Sequence, residues 1–295
     1  MHQGWKDSDD AIFHADGTPA LGPIALCEVQ AYVYAARRAA ATVATALGRN
    51  DYASELGRKA EVLQRNFESA FWCDDLSTYA IALDGQGQPC RVRTSNAGHC
   101  LFAGIAKPDR ARRLARTLLN AESFSGCWGV RTVAASEVGY NPMGYHTGSV
   151  WPHDNALIAS GLARYGYGEK ALQLLTGQFQ AGMHFELHRM PELFCGFAQD
   201  SGESPVLYPV ACAPQSWSAA SVFLLFQACL GLEISGVERQ ISFTRPQLPA
   251  SLGELRIHNL EVAGSTIDLR LVKQEHNVEI NVIRRGGDIQ VMVIK

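Results

Sequence analysis

No apolar run in this chain approaches the roughly 18 residues that cross a bilayer, and no basic leader followed by an apolar core opens it. Neither a membrane span nor an export signal is therefore expected. A surplus of one charge is missing as well. Lys and Arg number 26 against 29 Asp and Glu, for a net charge of -3, and the basic residues are scattered instead of forming a stripe, which argues against a nucleic-acid partner. The eight cysteines, at 27, 73, 90, 100, 127, 195, 212 and 229, form no C-x-x-C pair and have no His at metal spacing. Zinc and a disulfide framework are both disfavoured, no cofactor is called for, and the thiols read as small buried side chains in a reducing cytoplasm. His146 and His153 stand seven apart, but Gly148 and Pro152 break any helix between them, which removes the pair as metal ligands.

What is present is apolar content: 47% of 295 residues are hydrophobic, enough to bury one large core or two smaller ones. Val29, Tyr32, Val33, Ala36, Ala40, Val43 and Leu47 recur at helical steps, as do Leu56, Ala60, Leu63, Phe67 and Phe71. These predict a helical hairpin jointed at Gly48-Arg49-Asn50-Asp51, with a glycine ending the first helix and an Asx residue capping the second. Tyr32 and Tyr34 read as core and surface of one helix. Further pairs are predicted over 96–106 with 108–119, and over 155–165 with 169–183, before a long apolar helix over 214–230. Repeated antiparallel pairs imply an all-α α/α toroid or solenoid. After Gly231, alternation in Leu255–Leu260, Ile267–Leu271 and Val278–Val282 predicts strands. The expected division is a helical catalytic part over 1–235 and a small antiparallel β appendage over 236–295.

Three intervening loops, 72–93, 126–154 and 184–211, are rich in Trp, His, Gly and Asp, and loops of this length and aromatic content are expected to form one functional rim. One of them carries Arg189-Met190-Pro191-Glu192-Leu193-Phe194-Cys195-Gly196-Phe197, a carboxylate among apolar neighbours with a proline before it. Burial against Phe194 and Phe197 would favour its protonated form and Arg189 its charged form, a balance suited to proton transfer. A second acidic stretch, Trp5-Lys6-Asp7-Ser8-Asp9-Asp10, also lies beside a tryptophan. Two such carboxylates suit glycoside hydrolysis, in which one protonates the leaving oxygen and the other activates water or attacks the sugar, while aromatic faces hold the ring.

Gly4-Trp5-Lys6-Asp7-Ser8, Pro23–Tyr32, Tyr145–Asn155, Pro191-Glu192-Leu193-Phe194 and Pro214-Gln215-Ser216-Trp217-Ser218 occur in an order that resembles bacterial amylo-α-1,6-glucosidases of the glycogen-debranching type. These proteins are related to mannosylglycerate-hydrolase-like glycoside hydrolases. The resemblance runs from Gln3 to about Leu232. It implies an (α/α)6 barrel that cleaves glycosidic bonds with inversion, the aspartate of the Gly-Trp block (Asp7) acting as acid and the glutamate of the Pro-Glu-Leu block (Glu192) as base. Family members carry a β domain and the first barrel helices ahead of the Gly-Trp block. The chain therefore reads as an incomplete toroid, whether a fragment, the product of a misplaced start codon or half of a split protein, with a missing N-terminal half or self-association as the expected partner and with activity of the chain alone in question.

The saccharide is expected to meet Trp5, Lys6, Tyr145, His146, Trp151, His153, Asp154, Gln215 and Trp217 beside the pair Asp7 and Glu192. Each has a plainer reading. Asp7 could cap a turn, with Asp9 and Asp10 as rival acids; Glu192 could pair with Arg189, leaving Asp200 and Glu203 as alternative bases. Trp151-Pro152-His153-Asp154 could be a helix entry in which Asp154 caps a helix starting at Asn155, and Gln215 and Trp217 could simply open an apolar helix. Two other functions compete with an inverting α-glucosidase: an inactive remnant that binds saccharide or acts as a scaffold, and another α/α-barrel sugar enzyme such as an epimerase or lyase. Because Asp7 lies near the terminus, fraying of its segment is expected.

Overall fold

The first hairpin forms as α1 (Cys27–Ala46) and α2 (Asn50–Ala70), with Gly48 at φ +72° ending the first helix. The structure is a computed structural model that describes residues 4–120, 125–126, 128–198, 204–275 and 277–295. The second helix packs as its pattern predicts, burying Leu56, Ala60, Phe67 and Phe71. Its cap differs, because Arg49 occupies the N-cap without a side-chain bond, while Asn50 is already helical and Asp51 complements the helix dipole from the first turn.

The first helix departs further from expectation. Cys27, Glu28, Ala31 and Ala44 are its buried residues, whereas Val43 and Leu47 are 58% and 68% exposed. Small residues let α1 approach its neighbours closely, and the bulkier apolar stripe faces outward. Tyr32 and Tyr34 are both partly buried against the core.

Next come the short strands β2 (Trp72–Cys73) and β3 (Thr78–Tyr79), which form a hairpin, and β4 (Ala82–Leu83) and β5 (Pro89–Cys90), which join β1 (Ala25–Leu26) in a three-stranded sheet. The second helix pair is α3 (Asn96–Ala103) and α4 (Pro108–Leu118), the latter with proline at its first turn. Strands β6 (Ser125–Gly126) and β7 (Gly129–Val130) precede α5 (Pro152–Arg164) and α6 (Gly168–Gly182), and α7 (Ser216–Leu230) closes the helical part. Among the described residues seven α-helices form, matching the predicted set.

The odd-numbered helices form an inner row, α1 on α3, α3 on α5 and α5 on α7, while α2, α4 and α6 pair with them from outside. Glycines set the closest crossing. A Cβ on Gly98 of α3 would lie 2.5 Å from Ile158 of α5, and one on Gly161 of α5 would lie 2.5 Å from the Phe102 nitrogen of α3. One core then runs through all seven helices, including Phe67, Leu101, Leu114, Ile158, Leu175 and Leu225.

The α7 helix ends at Gly231, whose φ of +54° and whose approach to the Thr244 carbonyl, 2.1 Å from a built Cβ, both exclude a side chain. The β segment starts at once, with β8 (Leu232–Ser235), β9 (Gln240–Thr244), β10 (Glu254–Val262), β11 (Ser265–Lys273), β12 (Val278–Gly286) and β13 (Gln290–Ile294). Strands β10-β11-β12 form an antiparallel sheet, as expected from alternation. In the second sheet, β13-β9-β8, the pair β13 and β9 is parallel, so the appendage is not purely antiparallel and is larger than the three strands legible in sequence. Ile241 and Phe243 of β9 share a core with Ile267, Leu269 and Leu271 of β11 and with Leu230 of α7, which fixes the β part to the helices. Among the described residues no helix is long and apolar enough to cross a membrane.

Candidate active site

The long loops are laced into one rim by isolated β-bridges: Thr94 with Val133, Arg131 with Val150, Val150 with Phe194, and Phe194 with Leu207. Two glycines permit the closest crossing. A Cβ on Gly196 would lie 1.8 Å from the Gly148 carbonyl oxygen, and one on Gly148 would lie 2.2 Å from that of Asn141. Arg131 Nε donates to the Gly196 carbonyl at 2.5 Å and the Tyr140 hydroxyl donates to it at 2.9 Å. This lacing sets Tyr145 beside Glu192.

Glu192 is 8% exposed. The Tyr145 hydroxyl donates to its Oε1 at 2.6 Å, the Cys212 amide donates to its Oε2 at 3.1 Å, and its own amide donates to the Cys212 carbonyl at 2.9 Å. Among the described residues no ion pair joins it to Arg189, so the carboxylate is held by neutral donors and the expected Arg189 pairing is absent. Phe194 is buried but Phe197 is exposed, so only one of the two aromatics contributes to the apolar surroundings. Burial, the hydrogen bond to Glu192, and the charges of Glu192 and Asp7 all push the Tyr145 phenol upward, so this hydroxyl stays protonated and sits in the field of both carboxylates. Asp200 and Glu203, the alternative bases, lie outside the described residues.

Asp7 is 83% exposed, with Oδ1 3.9 Å from His146 Nε2. Its neighbours are held by side-chain contacts. Lys6 is buried and donates from Nζ to the Thr132 carbonyl at 2.8 Å, and the Ser8 hydroxyl meets His146 Nδ1 at 2.9 Å. Asp9 and Asp10 are exposed in the turn that follows. Burial pushes the Lys6 ammonium down to about 8 against the opposing pull of Asp154, Glu28 and Cys27.

Around these two acids the expected sugar-facing rings form one cluster. Trp5 meets His146 and Trp151 edge-on at 5.5 Å each and His153 at 4.9 Å; Tyr145 meets His146 at 4.5 Å and Trp151 at 4.9 Å. Trp217, 38% exposed, stacks on His153 at 3.8 Å with ring planes 5° apart. Burial pushes His153 down to about 4, although Asp154 and Glu192 pull the other way, and among the described residues neither of its ring nitrogens has a hydrogen-bond partner. Gln215 is the N-cap of α7 and its Oε1 accepts from the Ser216 amide at 3.0 Å, a local bond that spends its acceptor within the helix start.

The sequence reading placed Asp154 as the cap of a helix starting at Asn155. Instead α5 starts at Pro152 with Trp151 as N-cap, because proline fits the first helical position, and Asp154 lies inside the first turn. It is fully buried and accepts at Oδ1 from His99 Nε2 at 2.6 Å. Burial opposes the charged carboxylate, but the hydrogen bond from His99 heads the effects that outweigh it, and Asp154 is held below its usual range.

Sequence reasoning missed His99, Glu28 and the Thr94-Ser95-Asn96 turn, all buried. His99 is a lone histidine in the apolar α3 and carries no motif, but it stands three after Asn96, one helical turn into a helix whose start faces the rim. Cys212, expected to be buried, is exposed; the other six described cysteines are buried, and all seven are free thiols. It matters here through its backbone, which holds Glu192. Among the described residues no cluster of His, Cys, Asp and Glu suited to a metal is found.

The family model described as a mannosylglycerate hydrolase MGH1-like glycoside hydrolase domain matches residues 8–191, a span that begins just after Asp7 and ends just before Glu192. Among solved structures, the GH63 mannosylglycerate hydrolase from Thermus thermophilus in complex with Tris is similar with a TM-score of 0.56 and 23% identity, over 69% of this chain and 46% of that one. A GH78 family rhamnosidase of Bacillus sp. GL1 is similar with a TM-score of 0.64 and 16% identity, over 91% of this chain and 26% of that one. A sialidase is similar with a TM-score of 0.68 and 13% identity, over 88% of this chain and 25% of that one. These likenesses establish the fold, a helical domain of the toroid type with added sheets. The chain spans less than half the length of each of these three solved structures. Comparison with curated proteins gave no match.

Proposed function

Because the chain belongs to the mannosylglycerate hydrolase MGH1-like glycoside hydrolase domain family, we propose that it forms the acid and base side of an inverting glycosidase acting on an α-linked glucoside, of the amylo-α-1,6-glucosidase type. Asp7 donates its proton to the glycosidic oxygen as the bond to the anomeric carbon breaks. Glu192 takes a proton from the water that attacks that carbon from the opposite face, so the product has inverted configuration. Protonated Glu192 and ionised Asp7 then exchange protons with solvent to restore the starting states.

The observation that carries this reading is the placement of Tyr145 in the field of both carboxylates, hydrogen-bonded to Glu192 and packed on the His146 that stands beside Asp7. Exposure of Asp7 and shielding of Glu192 suit their assigned roles, since the acid must reach a leaving group while the base needs a fixed water. The rings of Trp5 and Trp217 supply apolar faces for pyranose C–H surfaces, with His153 and Gln215 as polar residues beside them, while Trp151, Lys6, His146 and Asp154 are buried and act on the sugar site by holding those residues in place. We assign the catalytic unit to residues 1–235 and the β-rich appendage to 236–295.

Proton NMR of a freshly cleaved α-glucoside tests the proposal: the β-anomer should appear first, and initial accumulation of the α-anomer would exclude inversion. A non-hydrolytic saccharide-binding unit is a second reading, favoured by the 83% exposure of the Asp7 side chain and the 3.9 Å that separates it from His146. Reducing-sugar release separates the two.

A further inference from the structure

Beneath Trp5 lies a buried relay outside the acid and base chemistry. The Tyr32 hydroxyl of α1 meets His99 Nδ1 of α3 at 2.5 Å, and His99 Nε2 meets Asp154 Oδ1 of α5 at 2.6 Å. Asp154, a carboxylate held below its usual range, can only accept. Nε2 of His99 therefore carries hydrogen, and in the neutral ring Nδ1 accepts from the phenol. Both ring nitrogens are engaged and the residue is fully buried, so His99 cannot reach a substrate. Its face is used instead: the Trp5 indole stacks on it at 5.9 Å with planes 17° apart.

We infer that His99 is a positioning residue for Asp7, its ring locked by Tyr32 and Asp154 and carrying Trp5, whose placement sets the acid two residues on. The inference rests on the assignment of Asp7 as acid. Three features support it. The side chain of Asp7 is 83% exposed and lies 3.9 Å from His146 Nε2, so its direction is set mainly by the backbone on either side. That backbone is pinned at three neighbouring residues, by Trp5 on His99, by Lys6 on Thr132 and by Ser8 on His146. The Trp5 contact rests on a ring tied to two inner helices at once, so the geometry of α1, α3 and α5 reaches the acid through it.

The test uses Tyr32→Phe, which removes one hydroxyl and leaves the ring, with His99→Gln as the stronger change, in the full-length protein. Two substrates are compared: isomaltose, whose sugar leaving group needs a proton, and α-glucosyl fluoride, whose fluoride departs with little proton help. Misplacement of the acid should lower kcat on isomaltose about 10- to 100-fold in Tyr32→Phe, with KM nearly constant and the fluoride largely spared. Equal loss on both substrates, or no loss on either, would overturn the inference. Should the unaltered protein cleave neither substrate, the acid assignment itself fails, and the coupling is then read from the indole N–H resonances. Trp5 should shift in both variants while Trp72, packed on Tyr79, stays fixed. A Trp5 resonance that does not move would overturn the inference whatever the activity.

Discussion

Replacing His153 by phenylalanine should make the protein more resistant to acid. The imidazole lies face to face with Trp217 at 3.8 Å, is buried, has no hydrogen-bond partner among the described residues at either nitrogen, and is pushed down to about 4. In the unfolded chain it regains its ordinary value of about 6.5. Between those two values the unfolded state binds a proton that the folded state refuses, so stability is intact above about pH 6.5 and is lost as pH falls toward 4. A depression of about 2.5 units corresponds to about 3 kcal/mol at the limit, most of it expended by about pH 4.5. Phenylalanine keeps the stack on Trp217 and removes both partnerless nitrogens, each of which carries a desolvation penalty of about 1–3 kcal/mol. Urea unfolding at pH 7.5 and 4.5 measures the effect as a difference between variant and parent, which cancels the carboxylates that titrate in the same range. His153→Phe should match or exceed the parent at the higher pH and exceed it by about 2–3 kcal/mol more at the lower. Equal losses in parent and variant on acidification would refute the argument that His153 is buried in its neutral form.

Gly196→Ala places a methyl 1.8 Å from the Gly148 carbonyl, so the two loops must part; the expected loss is about 2–4 kcal/mol of stability, seen as a lower thermal midpoint, with activity falling as Glu192 moves away from Tyr145. Tyr145→Phe removes a hydrogen bond to a buried carboxylate, a type of bond contributing about 1.5–3 kcal/mol, and steady-state kinetics should show kcat about 10- to 100-fold lower. Lys6 is pushed down to about 8, so the folded state loses its proton before the unfolded one does, and this group's burial cost is relieved as pH rises from about 8 to 10.5. Denaturant titrations should show that gain in the parent relative to Lys6→Met, and parallel curves would contradict it.

Helices were the legible part of this sequence because their burial follows a 3.6-residue period that needs no knowledge of the partner. The α2 pattern of Leu56, Ala60, Phe67 and Phe71 packs as it reads. In α1 the same rule chose Val33, Val43 and Leu47, yet the buried side is Cys27, Ala31 and Ala44, because periodicity identifies an apolar face without saying what covers it. Strand alternation revealed β10, β11 and β12, whereas the parallel pairing of β13 with β9 depends on contacts about fifty residues apart that local pattern does not encode.

At the site, the aromatic and acidic blocks were visible as composition, and the structure brings Trp5, Tyr145, His146, Trp151, His153 and Trp217 together. Their supports were not visible. His99 and Glu28 sit singly in apolar helices, and the amide of Cys212 acts on Glu192 through backbone, which no side-chain motif can report. Asp154 lies inside the first turn of α5 and not at its cap, because Pro152 opens the helix, a placement that a proline in sequence does not distinguish from one just ahead of the helix.

Removal of a proton from the attacking water by Glu192 is read from turnover by Glu192→Gln alongside its affinity for an α-glucoside. The amide keeps the shape of the side chain and can still accept from Tyr145, but it cannot take the proton. kcat should fall by about 10²- to 10⁴-fold while the saccharide dissociation constant, measured by calorimetry, stays nearly unchanged. Undiminished kcat with the same substrate would contradict the account and move the base to another residue.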